Sequence, residues 1–144
     1  MASRSMGLRL MNTWHALHPD ARLHHALALA QTGALRPTLP VAFAGACACA
    51  AVAQDVAQDF SPALARDAVE AFAYTRLAAT ISSAMRLIAI GQNEAHRLLS
   101  RALDRVPAVV DAMIARRADP ESFMPALDIA QMTHQYVHSR LFRS

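Results

Sequence analysis

The chain predicts an all-α fold, a helical bundle of about six helices with a flexible C-terminal tail. Three observations point there. Ala and Leu dominate, 54% of residues are apolar, and only 4 of 144 are glycine; this is the composition of packed helices rather than of sheets. Ser, Asp and Pro stand where helices would begin, and the apolar residues between them recur at helical spacing. No stretch alternates with the period of a strand, and no segment repeats. A chain of this length is most economically one domain with a real core. Residues 1–134 read as that helical domain and residues 135–144 as a partner-binding tail.

The elements follow in order. Ser3 or Ser5 caps a first helix running to about Leu17, stopped by His18-Pro19. Asp20 caps a second helix that ends near Gln31, with Gly33 just past its end. Arg36-Pro37-Thr38-Leu39-Pro40 is a turn, because proline removes donors and pushes its predecessor out of the helical region. Thr38 or Leu39 then caps a third helix opening at Pro40, rich in small residues that permit close axis-to-axis packing. Ser61-Pro62 opens a long fourth helix to about Ile88. One of its faces carries Val69, Phe72, Leu77, Ile81, Met85 and Ile88, and the opposite side is poor in charge after Arg76. A helix apolar nearly all round is expected at the centre of a bundle. Gly91 breaks it. A fifth segment runs from Gln92 to about Arg117, kinked or split by Pro107. After the turn at Asp119-Pro120, a short last helix covers about Met124 to His134.

Charge and composition exclude several functions. The net charge is +3, every basic residue is Arg, and the arginines are spread along the chain instead of gathered in a run. That pattern supports solubility and some attraction to acidic partners, and argues against nucleic acid as the partner. The most apolar stretch, Leu39 to Ala53, is too short and too small-residue-rich to span a bilayer, and residues 1–10 lack the apolar run of a signal peptide. The chain therefore reads as soluble, cytoplasmic and without a membrane partner. Cys47 and Cys49, two apart on a helix, point to different sides and behave as small hydrophobes. His15 and His18 can share a helix face, but no cysteine or carboxylate constellation completes a metal site around them. There is no Gly-rich phosphate loop, no His-Glu-x-x-His and no nucleophile elbow, so no catalytic residue, metal ligand or cofactor is expected.

The last five residues carry the strongest functional signal. Arg140, Leu141, Phe142, Arg143 and Ser144 set two apolar plugs between two guanidinium groups at a free end that would otherwise stay polar. Such a segment suits ordering on contact with another protein, its Leu and Phe filling partner pockets. Arg86, set in the most apolar helix, must be paired if buried and is a candidate interface or structural residue, with Gly91 as a helix stop and Gln92 bonding across the break.

Four stretches resemble one family. Leu127-Asp128-Ile129-Ala130-Gln131-Met132-Thr133-His134, followed by Ser139-Arg140-Leu141-Phe142-Arg143-Ser144, is similar to the C-terminus of the urease accessory protein UreF family. Arg86-Leu87, Gly91-Gln92 and Arg97-Leu98-Leu99 resemble its central segment. Leu39-Pro40-Val41-Ala42-Phe43-Ala44 resembles its Pro-Val start of a small-residue helix, and Ser3-Arg4-Ser5-Met6-Gly7 an earlier Ser-x-x-Met-Gly helix. The family's further N-terminal region, with its Leu-Pro-x-Gly-Gly loop, has no counterpart here, so the chain is expected to correspond to the C-terminal part. Thr133, Gln135 and His138 stand where the family tail usually carries Arg, Glu and Tyr.

The resemblance implies a scaffold that is not an enzyme. Family members dimerise, bind UreD/UreH and help recruit the GTPase UreG, so that nickel reaches the urease apoprotein; the complex handles the metal, and direct nickel binding by this chain is not expected. The resemblance places Arg140 on the surface that receives the GTPase and His134 at the end of the last helix, in the partner-binding segment. The alternative from residues alone is an unrelated helical regulatory or nucleic-acid-binding module.

Overall fold

The computed structural model describes residues 2–53, 61–116 and 125–133. They form seven helices: α1 (Ala2–Leu17), α2 (Ala21–Gln31), α3 (Leu39–Ala53), α4 (Pro62–Leu87), α5 (Gln92–Leu103), α6 (Val106–Arg116) and α7 (Pro125–Thr133), with no strand among the described residues. The all-α expectation holds. The count rises because the fifth segment splits at Asp104 and Arg105, which leaves Pro107 in the first turn of α6, where its missing N–H removes no helical bond.

Local chemistry sets the boundaries. The Asp20 carboxylate accepts from the backbone N–H groups of Arg22 and Leu23, capping α2. Gly33, at φ 79°, turns the chain away past its end. The Ser61 hydroxyl accepts from Leu64 N–H at 3.1 Å, with Pro62 at the first helical position of α4. Ser3 departs from the expectation. It lies inside α1, and its Oγ accepts the Leu39 N–H at 3.1 Å, so it caps the start of α3 instead of its own helix.

That bond lies at a close crossing of α1 and the start of α3. A Cβ on Gly7 would collide with the Pro37 carbonyl oxygen and come within 2.7 Å of the Thr38 carbonyl carbon. Only a residue without a side chain lets α1 lie directly on the backbone that leads into α3. Behind this crossing α1, α2 and α3 enclose a core of Met11, Leu23, Leu27, Ala42 and Cys49, with Leu10, Trp14, Ala26 and Leu35 packed on it.

The second layer is α4, α5 and α6. Helix α4 touches α3, α5 and α6. An edge-to-face pair of Phe43 and Phe72, centroids 5.4 Å apart, joins it to α3. A two-pronged bond from Arg66 to Asp111, Nε to Oδ1 at 2.8 Å and Nη2 to Oδ2 at 3.3 Å, joins it to α6. The expectation that α4 is enveloped is corrected: of its residues only Ala68 is buried, while Val69, Tyr74, Met85 and Leu87 are exposed. The physical reason is that three neighbours cover only part of its circumference.

Candidate partner interface

The sequence nominates two regions, and they fare differently. Arg140, Leu141, Phe142, Arg143, Ser144 and His134 lie outside the described residues. Arg86, Gly91 and Gln92 lie at the corner between α4 and α5. There the chain leaves the helix through Ile88, extended at φ −132° and ψ 152°, whose N–H donates to the Ala84 carbonyl. The N–H of Ile90 then donates to the Ile88 carbonyl at 2.8 Å, and α5 begins at Gln92. Gly91 is therefore not the stop of α4 but the N-cap of α5. At φ −69° and ψ 152° it makes no side-chain cap bond and has open space where a Cβ would stand.

Arg86 occupies the last turn of α4, where the helix dipole favours a cation. It is exposed, so no buried partner is required of it. Leu87 and Ile88 beside it are 54% and 57% exposed, and Met85 is also open to solvent. The corner thus presents aliphatic surface next to a guanidinium, a composition suited to protein contact.

A feature the sequence reading passed over lies on α5. Ala95 is buried against the bundle, with Leu98, Leu99 and Ala102 partly buried on the same face. The opposite face carries Arg97, Arg101 and, at the joint with α6, Arg105, all exposed. The four-residue spacing is legible in the sequence, but only the burial of Ala95 fixes these arginines on an outward face.

Between α3 and α4 runs a cavity of about 310 Å³ walled by Pro40, Phe43, Ala44, Ala65, Val69 and Phe72 and floored by Ala68. A second, of about 110 Å³, lies beside Trp14, His18, Asp20 and Cys49. Burial pushes the Cys47 thiol up from its ordinary range; burial also raises Cys49, and the neighbouring Asp20 carboxylate raises it further. Both thiols are free, and a raised thiol is a poor nucleophile at neutral pH. The rings of Trp14 and His18 lie 4.8 Å apart, tilted by 43°, and those of His15 and His24 lie 5.6 Å apart, tilted by 41°. Among the described residues no three His, Cys, Asp or Glu side chains are placed to hold a metal ion, and no helix is long and apolar enough to cross a membrane.

Comparison with known proteins gives one answer. Residues 1–103 match the family model for UreF. The chain is 32% identical over 143 residues to the urease accessory protein UreF of Polaromonas sp., covering 99% of this chain and 55% of that protein. It is 32% identical over 146 residues to the UreF of Arthrobacter sp., covering 99% and 59%, and 31% identical over 147 residues to that of Methylibium petroleiphilum, covering 100% and 56%. The chain thus spans a little over half the length of these curated relatives. No solved structure matches it.

Proposed function

The chain belongs to the UreF family of urease accessory proteins, and from that premise we propose that it acts by contact, as an adaptor in urease maturation. On this reading Arg140, Leu141, Phe142, Arg143 and Ser144, with His134, dock on UreD/UreH. The joint surface then recruits the GTPase UreG for delivery of nickel to the urease apoprotein. Two copies of the chain pair through their helical faces. The protein works in the cytoplasm, catalyses nothing itself and supplies no nickel ligand.

The observation that carries the reading is the match of residues 1–103 to the family model, extended by full-length alignment of this chain to relatives that bear the accessory-protein name. Chemistry supports it. The described residues offer aliphatic and guanidinium surface at the α4–α5 corner instead of a polar cleft, and both thiols are raised away from reactivity. In the tail, an Arg fork suits carboxylate recognition and Leu141-Phe142 suits a pocket.

Co-purification tests the docking step. The intact chain should be captured by its cognate UreD/UreH, and a chain ending at His138 should lose most of that capture. Equal capture of the two would remove the tail from the mechanism.

A further inference from the structure

We propose that the outward stripe of α5 is a docking surface for an acidic helical segment of a partner protein, one presenting carboxylates four residues apart. This is independent of the tail, which plays no part in it. Arg97 and Arg101 are four residues apart on α5, the spacing at which side chains stack along one helix face about 5–6 Å apart, and Arg105 follows at the same interval in the turn that joins α5 to α6. The opposite face of α5, with Ala95, Leu98, Leu99 and Ala102, is committed to the bundle, so the arginine face cannot turn inward.

These guanidiniums are largely unspent. Arg22 holds Asp20 at 3.3 Å, and Arg66 holds Asp111 at 2.8 Å and Glu70 at 2.6 Å. On α5, Arg97 reaches Glu94 only at 3.6 Å, with its side chain 77% exposed, a long contact for a charge-assisted pair. Arg101 and Arg105 make no ion pair or side-chain hydrogen bond with any described residue. An Arg fork matches a carboxylate through two parallel N–H donors, and three forks in register match carboxylates repeating at the same helical interval.

The same spacing would suit phosphates, but the surroundings do not. Glu94 and Asp104 lie on this face, at either end of the stripe. A phosphodiester chain is charged at every step and must run past both. A helix can set a neutral or basic residue opposite each. The face carries no aromatic ring for a base to stack on, and the whole chain carries only +3.

The test uses the full chain and two synthetic Ala-based helical peptides, one with Glu at three positions four apart and one with Gln there, followed by fluorescence anisotropy at a single ionic strength. The Glu peptide should bind at least about tenfold more tightly than the Gln peptide. Arg101→Glu combined with Arg105→Glu should lower that affinity at least about tenfold, while Arg9→Glu on α1 leaves it unchanged. Circular dichroism on each variant reports whether the helices persist, and Arg101→Lys with Arg105→Lys should keep part of the affinity if fold and charge are intact. Equal binding of the two peptides would overturn the proposal. So would an undiminished double charge reversal, or a short DNA duplex that binds as tightly as the Glu peptide.

Discussion

Two backbone carbonyls decide what position 7 can hold. The Pro37 oxygen and the Thr38 carbonyl group fill the space a side chain would need, and both belong to backbone that cannot swing aside. Gly7→Ala should therefore cost about 1–3 kcal/mol, the range for forcing atoms into a packed contact. Gly45 sits mid-helix in α3 with nothing within 4 Å of an added Cβ. Gly45→Ala should gain about 0.5–1 kcal/mol from helix propensity alone. Urea midpoints moving in opposite directions would match both; a neutral Gly7→Ala would break the α1–α3 crossing. Asp20 adds a pH effect. Its partial burial would raise the carboxyl, but bonds from the Arg22 side chain, from the Arg22 and Leu23 N–H groups and the Arg22 charge outweigh this and hold it below the usual range. A depressed folded value means the cap's contribution is complete above the unfolded carboxyl value and disappears as pH falls through the folded one. Stability should drop over that acidic window, and Asp20→Asn, which keeps a capping oxygen, should flatten the drop in a urea series at several pH values. At this scale the sequence was readable where the chemistry is local. Asp20 and Ser61 bond two or three residues away. Ser3 was not, because its acceptor role serves an N–H 36 residues on, which no window of sequence contains.

Helix existence was legible and helix environment was not. The start of α4 at Ser61-Pro62 and the turn at Gly33 follow from rules that act within one turn of chain. The apolar spread of α4 suggested envelopment, yet hydrophobicity says only what a helix tolerates, and the number of neighbours decides what is covered. The same limit applied to α5. Arg97, Arg101 and Arg105 were visible as residues, but their alignment matters only once Ala95 fixes which face turns inward. The α4–α5 corner gives a prediction at this scale. Gly91 caps α5 without a side-chain bond, at backbone angles open to any residue and with room around it. Gly91→Asp supplies the missing acceptor and a negative charge at the positive end of the helix dipole, so it should raise stability by a few tenths of a kcal/mol, seen as a small rise in Tm. If Gly91 also serves an interface, the same variant will be more stable yet weaker in UreD/UreH capture; a purely structural glycine would leave capture unchanged.

The described helices leave large apolar side chains open to solvent. Val109, Met113 and Ile114 of α6 are 55%, 64% and 53% exposed, and Leu87 and Ile88 stand open at the α4–α5 corner. Among the described residues, half of the buried apolar ones are alanines: Ala42, Ala46, Ala51, Ala68 and Ala95. A core built so largely from small side chains returns little transfer free energy, at roughly 25 cal/mol per Å² of apolar surface removed from water. Surface left uncovered on this scale drives association, because each buried aliphatic side chain contributes about 1.5–3 kcal/mol before ordering costs. The chain should therefore self-associate, its sedimentation coefficient climbing across a hundredfold rise in concentration. Its Tm should climb with it, since binding that requires the folded state stabilises that state by mass action. Val109→Glu with Met113→Glu places charge on the α6 face without disturbing buried Val110. It should shift the sedimentation profile toward monomer while circular dichroism stays helical. A single monomeric species across the whole range, in the unaltered chain, would show that these exposed side chains find no partner in another copy.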